Sequence, residues 1–130
     1  MQARRTKLRK SAQEQVEGAI KPCVLFLENP PEPGQLKAFD DNGLLIKNVG
    51  KGPAINIRWK LNNQTKWQEA AALEVGAARE TPLHLKSVIN QGKIECEFES
   101  INGVNYVTES GFSGNESELD LRHTFRRRDS

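Results

Sequence analysis

Between Ile55 and Leu61 the chain alternates without a break: Ile55, Ile57, Trp59 and Leu61 are apolar, while Asn56, Arg58 and Lys60 are polar. A period of two marks a half-buried strand, because successive side chains leave opposite sides of an extended backbone. The odd-numbered face is expected in the core. Ile94-Glu95-Cys96-Glu97-Phe98-Glu99 repeats the pattern. Two such strands need other extended segments to close over a shared apolar interior, and the chain supplies them.

Cys23 to Leu27 is a continuous apolar run, a buried strand that must end at Asn29-Pro30-Pro31-Glu32-Pro33-Gly34, where neither helix nor ladder strand can form. Asp40-Asp41-Asn42-Gly43 is a turn before the strand Leu44 to Val49. Trp67 to Leu73 reads as a further short strand, and Pro82 to Leu85 as one at a sheet edge, where the missing N–H of Pro82 is tolerated. Asn102-Gly103 is the dipeptide favoured in a two-residue type I′ hairpin leading into Val104 to Ser110. That turn predicts Phe98 opposite Val107, both on the core face, and Glu99 opposite Tyr106. The reading is an all-β fold: an antiparallel immunoglobulin-like β-sandwich of about seven strands, with no helix between them.

Three regions follow. Residues 1–21 form a basic N-terminal segment, helical over 4–20, with a thin apolar stripe of Leu8, Ala12, Val16 and Ile20 and an end enforced by Pro22. Residues 22–110 are the sandwich, and 111–130 a polar and basic C-terminal tail with room for a short edge element.

Net charge is +2 over 130 residues, but it is unevenly placed. Residues 1–21 carry six Lys or Arg against two Glu, and residues 122–130 carry four Arg against one Asp, so the ends total +4 and +3 and the middle −5. An acidic body with basic ends does not match a nucleic-acid-binding domain, whose basic residues form a stripe on the folded surface. No apolar run approaches 18 residues, and no apolar h-region follows the basic start, so this sequence contains neither a membrane span nor a signal peptide. Met1 to Lys10 reads like the basic flank that borders a membrane helix, which makes tethering through a segment outside this chain an expectation.

Gly50-Lys51-Gly52-Pro53 poses the one enzymatic question. A phosphate-binding loop needs GxxxxGK followed by Ser or Thr, and a dinucleotide fold needs GxGxxG opening a helix. Here the glycines are followed by Pro53 and a strand, so the turn is expected to be a corner, with Gly50 and Gly52 at positive φ. Residues 48–57, NVGKGPAINI, resemble the strand-turn-strand signature N-x-G-x-GPA-x-N of CARDB-like immunoglobulin-fold modules and of small bacterial envelope proteins. Leu73 to Ala77 and Phe98 to Thr108 are similar to their later corner and last hairpin, so the resemblance covers residues 22–110. It implies a fold rather than an activity.

Candidate sites are few. His84 sits between Leu83 and Leu85 and is expected to face away from both, with no nucleophile or orienting carboxylate indicated for catalysis. Glu95, Glu97 and Glu99 share one strand face and read as a charged surface facing Arg58 or Lys60, not as a calcium site. Cys23 and Cys96 fit either as small core hydrophobes or as one bridge. Trp67 and Tyr106 are the aromatics expected to be exposed, and with Arg126, Arg127 and Arg128 they make the expected interaction surface. No catalytic residue, cofactor or metal site is assigned. The functional expectation is a non-enzymatic binding or spacer module with a protein partner, the soluble part of a bacterial envelope protein. The alternative is an assembly protein, of the kind found in phage structures, using its basic ends on nucleic acid or an acidic partner.

Overall fold

The two alternating stretches become adjacent central strands. The computed structural model describes residues 16–29, 42–113 and 120–128. Its strands, in chain order, are β1 (Val24–Asn29), β2 (Gly43–Asn48), β3 (Ile55–Leu61), β4 (Gln68–Ala70), β5 (Ala78–His84), β6 (Lys93–Glu99), β7 (Asn105–Ser113) and β8 (Asp120–Arg127). They form two antiparallel sheets, a three-stranded one in the order β1-β2-β5 and a five-stranded one in the order β4-β3-β6-β7-β8.

The faces sort by alternation except at the start of β3. On β3, Ile57, Trp59 and Leu61 are buried, and on β6 so are Ile94, Cys96 and Phe98; Ile55, expected on the same face, is only half-buried, because the register shifts between it and Arg58. From the three-stranded sheet Val24, Phe26, Leu44 and Ile46 enter the same cluster. The two sheets meet directly: the Phe26 ring stands edge-on to Trp59 at 5.6 Å, the arrangement favoured by the aromatic quadrupole. Thr108 on β7 donates its hydroxyl to the Val24 carbonyl at 2.6 Å, which satisfies a buried polar group across the layers.

A short helix, α1 (Leu85–Gln91), interrupts the expected strand succession between β5 and β6. Leu85 and Val88, three residues apart and therefore on one helix face, are each 1% exposed. Sequence alternation ends at Leu85, and the shift to a spacing of three marks the helix. Residues 16–20 are helical and lead into Pro22; the rest of the helix expected over 4–20 lies outside the described residues. Its apolar stripe is not what the turn buries, since Val16 is exposed and Glu17 is 5% exposed.

The hairpin after β6 differs from expectation by one residue. Gly103 donates its N–H to the Ser100 carbonyl, and Ser100 donates to the Val104 carbonyl. Gly103 alone takes positive φ, at 81°, so the connection is a three-residue loop closed by a bulge and not a two-residue type I′ turn. The register moves accordingly: Phe98 lies opposite Tyr106, Glu99 opposite Asn105, and Val107 opposite Glu97. Segment 111–130 also holds more than a tail, because β7 continues to Ser113 and β8 pairs with it over eight residue pairs, from Tyr106↔Arg127 to Ser113↔Asp120.

Candidate functional site

Asn48 decides what the Gly-rich turn is. Its side chain is fully buried and makes four hydrogen bonds, the full capacity of its two donor hydrogens and two acceptor lone pairs. Nδ2 donates to the carbonyls of Gly52 at 2.8 Å and Leu73 at 3.0 Å. Oδ1 accepts from the backbone N–H groups of Gly50 at 3.0 Å and Cys23 at 3.2 Å. The donors that a phosphate would need are therefore already committed within the protein. Around this amide, Val49 donates to the Cys23 carbonyl, Lys51 to the Lys21 carbonyl, and Ala54 and Leu73 exchange backbone bonds.

Neither Gly50 nor Gly52 is at positive φ. Their requirement is space. A Cβ on Gly52 would lie 2.1 Å from the Ile20 carbonyl oxygen, and one on Gly50 would lie 2.4 Å from the Cys23 nitrogen. The glycines let the chain around residues 20–23 lie directly on the turn. Asn56, the last residue of the signature, has φ 50° where the β3–β6 register shifts between Ile55 and Arg58. Asn tolerates that left-handed conformation better than most residues.

The opposite, outward face of the five-stranded sheet is built from rows of long polar side chains. One row crosses the sheet as Glu69, Arg58, Glu97, Val107 and Arg126. Glu97 is gripped from two sides: Arg58 Nε donates to Oε2 at 2.7 Å, and Arg128 bonds Oε1 at 2.7 Å. Its side chain is only 12% exposed, so these charge-assisted bonds are less screened than an ordinary surface pair. Arg58 also lies over the Trp67 ring at 4.5 Å, and Lys60 at 5.0 Å, in cation–π geometry. Trp67, Arg58, Glu97 and Arg128 thus form one continuous chain of contacts. Beside it lies a cleft of about 530 Å³ whose walls include Asn56, Glu69, Glu99 and Asn105.

Of the residues expected to make the interaction surface, Arg126 lies in the outward row, and Trp67 and Arg128 belong to the contact chain on that face. Arg127 lies in the row of Phe98 and Tyr106. Trp67 is half-buried beneath its two cations rather than fully exposed. Tyr106 is not exposed at all. It is 2% exposed, because the three-residue loop turns it to the core face, where its ring stacks on Phe98 and Phe125. Its hydroxyl donates to Glu17, whose other carboxylate oxygen accepts from Ser100 Oγ at 2.9 Å. Lys21 covers the Phe125 ring at 4.7 Å. Glu17 carried no signal in the sequence, since an acid in a basic helical segment reads as solvated.

His84 is exposed while Leu83 and Leu85 are buried, as alternation predicts. His123 shares a 2.7 Å hydrogen bond between its Nδ1 and the Ser110 hydroxyl, and burial pushes its pKa below the ordinary value. Ser110 is only 1% exposed, so this pair does not present a nucleophile to a substrate. Cys23 and Cys96 are free thiols rather than a bridge. Burial pushes the Cys96 thiol up to about 12, which suits a core hydrophobe and not a reactive thiolate. The described residues contain no group of three or more His, Cys, Asp or Glu placed to hold a metal ion, and no helix long and apolar enough to cross a membrane. Comparison with protein-family models, curated proteins and solved structures finds no match.

Proposed function

We propose that the chain is a non-enzymatic immunoglobulin-like β-sandwich acting as a binding module, with the outward face of its five-stranded sheet as the contact surface. The strand orders support the fold reading. Labelled A, B, C, C′, E, F and G in chain order, with no strand D among the described residues, the first seven strands give A-B-E facing C′-C-F-G, and β8 extends the second sheet.

The observation that carries the binding reading is the cleft beside the Arg58–Glu97–Arg128 chain. Amide, carboxylate and guanidinium groups converge there on a preformed concave surface, whereas at the Gly-rich turn the Asn48 amide and the N–H groups of Gly50, Lys51 and Ala54 are bonded within the protein. The reading of basic ends on nucleic acid is less favoured, because Arg122, Arg126 and Arg127 belong to a strand and Arg128 is held by Glu97. A setting in the bacterial envelope rests on the resemblance of residues 48–57 alone.

The test compares partner capture by the wild-type protein and by Glu99→Arg/Asn105→Arg, two substitutions on the cleft wall. A partner retained by the wild type and lost by the variant, at unchanged thermal stability, supports the proposal. Equal recovery by both removes the cleft from the contact surface.

A further inference from the structure

The far edge of β8 has features that the cleft does not use. Among the described residues β8 has β7 as its only strand neighbour, and no described strand pairs with the backbone donors and acceptors of its other side. Natural sheets blunt such edges by brevity, proline, a bulge or charged side chains. β8 is eight residues long, contains no proline and pairs with β7 in unbroken register, so of these four devices it carries only charge. Its core-side row, Leu121, His123 and Phe125, is half-buried, and Leu121 and Phe125 pack against the core from its margin. A ninth strand would prolong that apolar row. Its outward row, Arg122, Thr124 and Arg126, is exposed and places two guanidinium groups four residues apart.

We propose that the β8 edge binds an extended acidic segment of a protein partner by strand addition. The register sets the pattern. Opposite Arg122 and Arg126 the partner carries carboxylates four residues apart, opposite Thr124 a small β-former, and between them apolar side chains that meet His123 and Phe125. A second copy of this chain fits less well in the register centred on Thr124, which sets Arg122 opposite Arg126 twice, and like charges directly opposed are destabilising. The register centred on His123 sets Arg122 opposite Thr124 and lacks that clash, so self-association is an outcome that the test must separate. The inference rests on the binding-module reading and shares Arg126 with the outward face, but neither Arg122 nor Arg126 lines the cleft, so substitutions in the cleft leave it standing or falling on its own.

The test uses two blocked synthetic peptides, Ser-Glu-Val-Thr-Val-Glu-Ser and its counterpart with lysine for both glutamates, titrated against the full chain at low salt. The glutamate peptide is expected to bind at least about tenfold tighter, as two direct charge pairs against two repulsions require. Amide exchange should slow in β8 and not in β4. Arg122→Glu/Arg126→Glu changes two exposed positions, so its far-UV spectrum should match the wild type, and its preference should invert to the lysine peptide. An inverted preference supports the edge assignment independently of absolute affinity. Equal binding of both peptides, absence of binding, a preference unchanged in the charge-reversed protein, or displacement of the peptide by an unrelated single-stranded oligonucleotide at equal charge concentration would each overturn it. So would dimerisation of the free chain that the charge reversal abolishes.

Discussion

Asn48 and its four partners show how much a single amide holds. Removing it with Asn48→Ala leaves the buried carbonyls of Gly52 and Leu73 and the N–H groups of Cys23 and Gly50 without their side-chain partner. The Leu73 carbonyl keeps the Ala54 N–H, so three groups lose their partner; unpaired groups cost about 1–3 kcal/mol each where they are buried, and a total loss of about 3 kcal/mol is expected in urea denaturation. Asn48→Asp should be no rescue, because a carboxylate cannot donate to the two carbonyls. His123 makes a second residue-level prediction. Burial lowers its folded pKa from 6.5, so the unfolded chain takes up a proton first as the pH falls. The stability contributed by the neutral ring is complete above the unfolded value and declines as the pH drops through 6.5 toward the lower folded one. The urea midpoint should therefore fall between about pH 7.5 and about pH 5.5, and His123→Gln should flatten that slope.

At the scale of elements, the sequence revealed strands best where alternation was strict. β6, and β3 from Ile57 onward, could be read residue by residue because a period of two admits only one assignment of faces; the shift at Asn56, which takes Ile55 out of the core, could not. The hairpin joining β6 to β7 could not, since Asn102-Gly103 suits a two-residue loop as well as the last positions of a three-residue one. The choice depends on Ser100, which accepts the Gly103 N–H on its backbone carbonyl and, on its hydroxyl, the N–H groups of Asn102 and Val104, while donating that hydroxyl to Glu17. The bonds to Asn102, Gly103 and Val104 are local, but the one to Glu17 spans 83 positions, and a local pattern does not carry it. One residue of slip turned Tyr106 from the surface to the core. β8 escaped a full reading because Arg126-Arg127-Arg128 masks an alternation of Leu121, His123 and Phe125. The loop explanation predicts that Gly103→Ala, forced to keep φ near 81°, lowers stability by about 1 kcal/mol without altering the β6–β7 register. Stability from chemical denaturation and the cross-strand contacts seen by NMR check the two halves of that statement separately.

Over the whole molecule, the segment from residue 16 to Pro22 acts as a lock on the end of the two-sheet core. It contributes Glu17 to Tyr106 and Ser100, Lys21 to the Phe125 ring, and its backbone to the face of Gly50 and Gly52. Tyr106→Phe removes the hydroxyl and leaves Glu17 one partner short, with an expected cost of about 1–3 kcal/mol. Glu17→Gln should recover part of that loss in the Tyr106→Phe background, as a double-mutant cycle in urea would read. The candidate surface was legible only in part: alternation put Glu95, Glu97 and Glu99 on one face and Arg58 on the facing strand, but the joining of Trp67 and Arg128 to them needed the sheet order.

The most direct test of the turn as a backbone corner is the denaturation of Gly52→Ala beside Gly18→Ala. A Cβ at Gly52 meets the Ile20 carbonyl at 2.1 Å, whereas one at Gly18 meets nothing within 4 Å. Gly52→Ala is expected to lose about 3 kcal/mol or more, since the clash is with backbone and cannot be relieved by a rotamer, while Gly18→Ala stays within about 1 kcal/mol of wild type. Equal stability of the two variants, with phosphate affinity lost only in Gly52→Ala, would contradict it.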